Sequence, residues 1–243
     1  MGLETLDIVV CLMAGHLLGD FLLQTDCMAG NKGKLRILTL HATVVTATSY
    51  LLAGAWLEWR ILLGVFGSHL AIDGIKALSG QDGPTAFLLD QGGHLAALAI
   101  LGTYWIPGAV TPSWQAFCPF YVRGMLLLAG AILCIRAGGF WIGRMVAPYQ
   151  AALAEVPASL PQAGRVIGQL ERALIFLFVL AGEPQGVGFL VAAKSILRFG
   201  EVKAGQRREA EYILIGTLMS FVWGLLAAFA TKALLSLLGP FHP

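Results

Sequence analysis

Six stretches of this chain run for about 20 mostly apolar residues, the length a helix needs to cross the hydrocarbon core of a bilayer. They lie at roughly 5–24, 37–58, 60–78, 85–106, 120–145 and 211–238. Inside lipid every backbone N–H and C=O must be bonded within the chain, and runs this long and apolar meet that demand as helices. Composition agrees. Of 243 residues, 57% are hydrophobic and 12% charged, whereas an average soluble domain is roughly one quarter charged. Mean hydropathy is +0.76. These values exclude an ordinary water-soluble enzyme, a disordered segment and a nucleic-acid binder; the formal net charge is only +2, with no basic patch of the kind that tracks phosphates. The expected fold is an all-α polytopic membrane helix bundle of about eight helical segments.

Two of those segments are short, about 165–182 and 187–200, joined by Gly182-Glu183-Pro184-Gln185-Gly186. Proline and two glycines make the joint a tight turn, and the pair reads as two short crossings or one re-entrant hairpin. The chain then divides into a four-helix half at 1–106, an external loop at 107–119 with three prolines and no charge, and a second helical half at 120–243. Glu4 and Asp7 stand where a cleaved signal peptide would carry Lys or Arg. Lys32, Lys34, Arg36, Lys76, Arg144, Arg165, Arg198, Lys203, Arg207 and Arg208 fall at alternate ends, against Arg60, Arg123 and Lys232 at the others. That bias predicts a cytoplasmic basic side, both termini outside, and Trp56, Trp59, Trp105 and Trp114 as an outer interfacial belt. The four cysteines (Cys11, Cys27, Cys118, Cys134) lack metal or redox spacing and read as small apolar residues. Glycines at small-residue spacing, such as Gly164/Gly168 and Gly182/Gly186, read as helix-packing positions.

An ionisable group at a helix centre costs about 2.5–3.5 kcal/mol on insertion scales. Yet the first four spans carry His16 and Asp20, His41, His69 and Asp73, then Asp90 and His94. Four of the five histidines lie within spans; the fifth, His242, is in the tail. One such histidine is usually a hydrogen-bonded packing residue, but four interleaved with three aspartates ask for a shared reason. His16/Asp20, His69/Asp73 and Asp90/His94 are i,i+4 pairs, so each pair projects from one helix face. Asp20, His41, Asp73 and Asp90 lie a turn or so from their predicted cytoplasmic helix ends, with His16, His69 and His94 about one turn deeper. At 1.5 Å rise per residue the two layers are roughly 6 Å apart.

A repeat underlies the pattern. Gly15-His16-Leu17-Leu18-Gly19-Asp20 parallels Ser68-His69-Leu70-Ala71-Ile72-Asp73, and the step from His16 to His41 equals that from His69 to His94, although Asp90 falls opposite Ile37. Two hairpins of one orientation, related about the membrane normal, would produce it.

Mixed nitrogen and oxygen donors at these seven positions suit one or two divalent ions, zinc favoured by histidine and manganese or magnesium by carboxylate. Asp20, Asp73 and Asp90 are also the candidate catalytic carboxylates. A cation with an open position would activate water inside the membrane, and hydrolysis of a lipid-like or amphiphilic substrate is the natural use. A paired-histidine haem site fits less well, because aspartates one turn from each histidine suit hard cations. Intramembrane Asp and His also mark metal-ion or proton relays in transporters, but the outer halves of the first four spans offer almost no polar continuation. A third reading is a structural membrane protein whose polar cluster only fixes helix packing. In the second half, Arg136, Glu171, Arg172, Lys194 and Arg198 fall at similar depth. They could hold an anionic head group or form a salt-bridge network that packs short helices. Gln24 and Gln91 are candidate hydrogen-bonding supports.

The runs His16-Leu17-Leu18-Gly19-Asp20-Phe21-Leu22-Leu23-Gln24, Leu40-His41-Ala42, His69-Leu70-Ala71-Ile72-Asp73-Gly74-Ile75-Lys76 and Leu89-Asp90-Gln91-Gly92-Gly93-His94 resemble the bacterial membrane family labelled domain of unknown function 3307. Gly164–Arg172, Lys194–Phe199 and Glu211–Thr217 are similar to its longer members. The resemblance implies a bacterial inner-membrane location and carries no activity with it. The chain is also similar to small inner-membrane proteins described as metal-dependent hydrolases, a fold-level analogy.

Overall fold

The computed structural model describes residues 3–106, 111–118, 120–153, 162–199 and 207–238. All regular structure among them is helical. Among the described residues five helices are long and apolar enough to cross a membrane: Thr5–Leu23, Leu35–Ala53, Trp59–Ser79, Tyr121–Ala151 and Ala210–Leu237. The remaining predicted span, 85–106, is a helix of comparable length but not one of these five, because Asp90, Gln91 and His94 lower its hydropathy. Contacts divide the chain into two units, Met1–Ile132 with Leu237–Pro243, and Leu133–Ser236.

In the first unit, α1 (Leu3–Leu18) runs into a π-turn at Gly19–Leu23. A short α2 (Asp26–Gly30) follows, capped by the Thr25 hydroxyl accepting from the Met28 N–H. Next come α3 (Leu35–Ala53), α4 (Trp59–Ser79), α5 (Pro84–Ile100, extended by a π-turn to Trp105) and α6 (Tyr121–Ile132). Gly54 and Gly80, at φ +61° and +63°, end α3 and α4 in the left-handed conformation that glycine adopts freely. Pro84 sits in the first turn of α5, where its missing N–H leaves no bond unmade. Helix α3 packs on α1 and α4, α4 packs on α5, and α1 closes the group against α5 while also meeting α6. Residues 121–132 therefore pack with the first unit, whereas the sequence division placed them with the second half.

The tightest contact is between α1 and α3. A Cβ on Gly15 would lie 2.3 Å from the Ser49 Cα, and one on Gly19 would lie 2.9 Å from the Val45 Cα. The Thr48 hydroxyl donates to the Gly15 carbonyl across this contact at 2.9 Å. Gly15 and Gly19 are four apart, the small-residue spacing that lets membrane helices touch backbone to backbone. Most glycines singled out from sequence behave otherwise. Gly164 faces open space, Gly168 faces the Arg172 guanidinium and Gly182 ends the Ala163–Ala181 helix at φ +85°; only Gly186 holds a packing position, where a Cβ would come within 2.8 Å of the Phe178 ring.

Neighbouring residues show which way the unit is turned. Leu40 is 51% exposed and His41 fully buried; Leu89 is 72% exposed and Asp90 only 6%. Apolar side chains face outward and ionisable ones inward, as lipid requires. The half of the unit away from the histidines is filled by Ile8, Leu12, Ile61, Val65, Leu98 and Leu101. Beyond it the Trp114 indole donates to the Leu51 carbonyl and the Tyr121 hydroxyl to that of Leu52, each at 2.8 Å. Trp56 packs edge-on against Trp114, while Trp59 and Trp105 are exposed. All four tryptophans of the predicted belt thus gather at one end of the unit.

In the second unit a π-turn (Leu133–Ala137) leads into α7 (Gly138–Ala151), followed by α8 (Ala163–Ala181), α9 (Gly186–Phe199) and α10 (Arg207–Leu237). The predicted short pair is α8 and α9, joined through Gly182 at φ +85°. Cys11 and Cys134 are buried as expected; Cys27 and Cys118 are exposed, so the apolar-filler reading fails for those two. His242, residues 107–110 and Lys203 lie outside the described residues.

Gly15→Ala should lower the melting temperature of detergent-solubilised protein, since overpacking typically costs about 1–3 kcal/mol and here the obstacle is backbone. Gly67→Ala, whose new methyl meets nothing within 4 Å, should leave melting unchanged or raise it.

Candidate metal centre

The seven residues predicted from sequence come together. Helix α1 supplies His16 and its π-turn Asp20, α3 supplies His41, α4 supplies His69 and Asp73, and α5 supplies Asp90 and His94. All are buried, at 8% exposure or less. The π-turn at Gly19–Leu23 widens the helix where Asp20 must face its partners, and such turns recur at functional sites.

Two carboxylates organise the cluster. Asp20 Oδ1 lies 3.1 Å from His41 Nε2 and 3.5 Å from His69 Nε2. Asp73 Oδ2 lies 3.4 Å from His41 Nε2 and 3.5 Å from His69 Nε2. The other oxygens face outward from this nest: Asp20 Oδ2 is 3.8 Å from His16 Nε2, and Asp73 Oδ1 is 3.8 Å from His94 Nε2. The imidazoles stack closely, with ring centroids 4.3 Å apart for His69 and His94 and 4.9 Å for both His16–His94 and His41–His69.

These atoms approach one another without bonding. The Nε2 atoms of all four histidines, and Oδ1 of Asp20, Asp73 and Asp90, are buried and make no hydrogen bond within the chain. Each such group left without a partner costs about 1–3 kcal/mol. A cation would satisfy three of them, His41 Nε2, His69 Nε2 and Asp20 Oδ1, and the spacing fits one. Ligands 2.0–2.2 Å from a tetrahedral zinc stand about 3.3–3.6 Å from each other. The four separations among His41 Nε2, His69 Nε2, Asp20 Oδ1 and Asp73 Oδ2 run from 3.1 to 3.5 Å. Three overlapping trios, His16–Asp20–His69, His41–His69–Asp73 and Asp73–Asp90–His94, have donor atoms within 4.8 Å of one another. His94 Nδ1 lies 2.8 Å from the Asp90 carbonyl oxygen. It donates its proton there, which leaves Nε2 as a lone pair facing the cluster.

Three supporting residues complete the site. Lys32, in the turn before α3, reaches Asp73 Oδ2 at 2.7 Å, and Lys76, in the last turn of α4, reaches Asp90 Oδ2 at 2.7 Å. The Gln91 amide donates to Asp20 Oδ2 and Asp90 Oδ2 at 3.0 and 3.2 Å, as expected for a supporting glutamine; Gln24 marks the end of the π-turn. Sequence reading counted the two lysines only as part of the basic side. Their signal was position: both sit at the helix ends nearest the aspartates.

The charges of the second unit are engaged locally. Arg172 is buried; its guanidinium donates twice to the Ile135 carbonyl and once to the Ser220 hydroxyl. Gly139 and Gly168 leave it room: a Cβ on either would come within 2.9 and 3.2 Å of the guanidinium nitrogens. Lys194 pairs with Glu171 at 2.6 Å. Arg136 stands on the π-turn before α7, and Arg198 on α9, its side chain outside the described residues. These bonds are the ones helix packing needs. Arg172→Gln should therefore lower the melting temperature by several degrees while leaving metal content unchanged, read by thermal denaturation and elemental analysis of one preparation.

No curated protein and no solved structure gives a significant match to the chain. A family model does match, over residues 8–120. That segment, which holds all seven residues of the cluster, matches the family described as protein of unknown function (DUF3307).

Proposed function

We propose that the chain is an intramembrane metal-dependent hydrolase, with a cytoplasm-facing His/Asp centre acting on a lipid-like or amphiphilic substrate at the inner membrane of a bacterium. The observation that carries it is three orphaned buried donors, His41 Nε2, His69 Nε2 and Asp20 Oδ1, which with Asp73 Oδ2 are spaced like edges of a zinc tetrahedron. In this reading His41, His69, Asp20 and Asp73 hold the cation. A divalent cation there supplies Lewis acidity and lowers the pKa of water it binds.

The chain's own residues do the rest. His16 is placed to take a proton at Nε2, which makes no bond within the chain, and Asp20 Oδ2 at 3.8 Å steadies the resulting imidazolium. Hydrolysis then adds the hydroxyl of water to the acyl or phosphoryl centre as the bond to the leaving oxygen or nitrogen breaks, and the proton held by His16 goes to that leaving group. The apolar packing of Ile8, Leu12, Ile61 and Leu98 excludes water from the far side and supports a pocket open at one end, where a relay would need polar groups continuing across.

Elemental analysis of purified protein should find zinc or manganese bound, and His41→Ala and His69→Ala should each lose it. A metal-free parent, or unchanged content in both variants, would overturn the centre. In nanodiscs, turnover of chromogenic long-chain acyl or phosphoryl substrates should fall at least 100-fold on chelation and recover with added metal; turnover indifferent to chelation would overturn the hydrolase.

A further inference from the structure

The donors not used by the first cation have a pattern of their own. Asp73 Oδ1, Asp90 Oδ1 and His94 Nε2 are each buried and unbonded, and one ligand atom from each of these residues lies within 4.8 Å of the others. Asp73 faces both ways: Oδ2 toward His41 and His69, Oδ1 toward His94. A carboxylate so placed can bridge two cations. We propose that the site takes a second divalent cation on Asp73, Asp90 and His94, and that its substrate is a phosphoester whose anionic oxygens are received there between Lys32 and Lys76. The proposal rests on the metal-centre reading above and narrows its substrate.

Charge carries the substrate class. The two carboxylates of this trio are the two already paired with ammonium groups, Asp73 with Lys32 and Asp90 with Lys76. With both divalent cations in place, three carboxylates and two ammonium groups leave the centre three positive charges in excess, and a buried site holds such an excess only beside an anion. A phosphate monoester dianion is such an anion; a carboxylic ester or an amide, being neutral, is not. Coordination agrees, because three protein donors leave one position of a tetrahedral ion open. Access agrees too. The lysine side chains are 20% and 25% exposed while the carboxylates they touch are at most 4%, so the lysines form the wet rim of a dry site.

The test is titration of metal-free full-length protein in nanodiscs with Mn²⁺, read by equilibrium binding and by electron paramagnetic resonance. Two ions per chain with an exchange-coupled spectrum are expected, falling to one uncoupled ion in Asp90→Asn and in His94→Gln. One ion in the parent, unaffected by either variant, would overturn the second site while leaving the first standing; no bound ion would overturn both. With Mn²⁺ loaded, inorganic phosphate should broaden its own ³¹P resonance by binding near the ions, and Lys32→Ala with Lys76→Ala should weaken that binding at least tenfold. The same measurement with phosphatidic acid in the nanodisc separates the sources: a response to the lipid alone assigns a head group, a response to inorganic phosphate assigns a soluble phosphoester. No effect of either ligand, or equal binding without the lysines, would overturn the substrate assignment.

Discussion

Four apolar helices each carry ionisable groups that lipid will not accept, and those groups are stable only where they meet. This constraint decides the first unit. It turns His41 and Asp90 inward while Leu40 and Leu89 beside them face out, and it gathers seven polar side chains from α1, α3, α4 and α5 at one end. The meeting depends on α1 and α3 touching at Gly15 and Gly19, where no side chain larger than hydrogen fits against Ser49 and Val45. With a side chain at either position, His16 and Asp20 would stand back from His41.

Meeting does not by itself satisfy the groups. Three carboxylates against two ammonium groups leave the cluster one negative charge in excess with neutral imidazoles, and seven of its ring nitrogens and carboxylate oxygens face one another without hydrogen bonds. A cluster meant only to fix helix packing would have paired them, as the second unit does: there Arg172 spends its donors on a carbonyl and a hydroxyl, and Lys194 meets Glu171. The two units bury charge under the same constraint, but only the second pairs it off within the described residues.

The all-α fold and the membership of the cluster were legible in the sequence because apolar length and i,i+4 spacing are local properties. What depended on contacts between helices was not. Nothing in the apolar pattern singles out Gly15/Gly19 from Gly164/Gly168, since only the approach of α3 makes the first pair essential. The π-turn at Gly19–Leu23 continues the helical run of α1 with no proline to mark it. Lys32 is 41 positions from Asp73 and Lys76 14 from Asp90, pairings fixed by which helix ends come together. In the second half the Glu171–Lys194 pair was visible as charge, whereas the partners of Arg172 are a backbone carbonyl and a serine that carry no charge signal.

The central claim is that a divalent cation sits among His41 Nε2, His69 Nε2, Asp20 Oδ1 and Asp73 Oδ2. X-ray absorption at the zinc edge of zinc-loaded protein tests it most directly. Nitrogen and oxygen neighbours at about 2.0–2.1 Å, with the outer-shell scattering of two imidazoles that disappears in His41→Ala, is the expected result. Sulfur neighbours, or a hydrated ion with no imidazole signature, would contradict it.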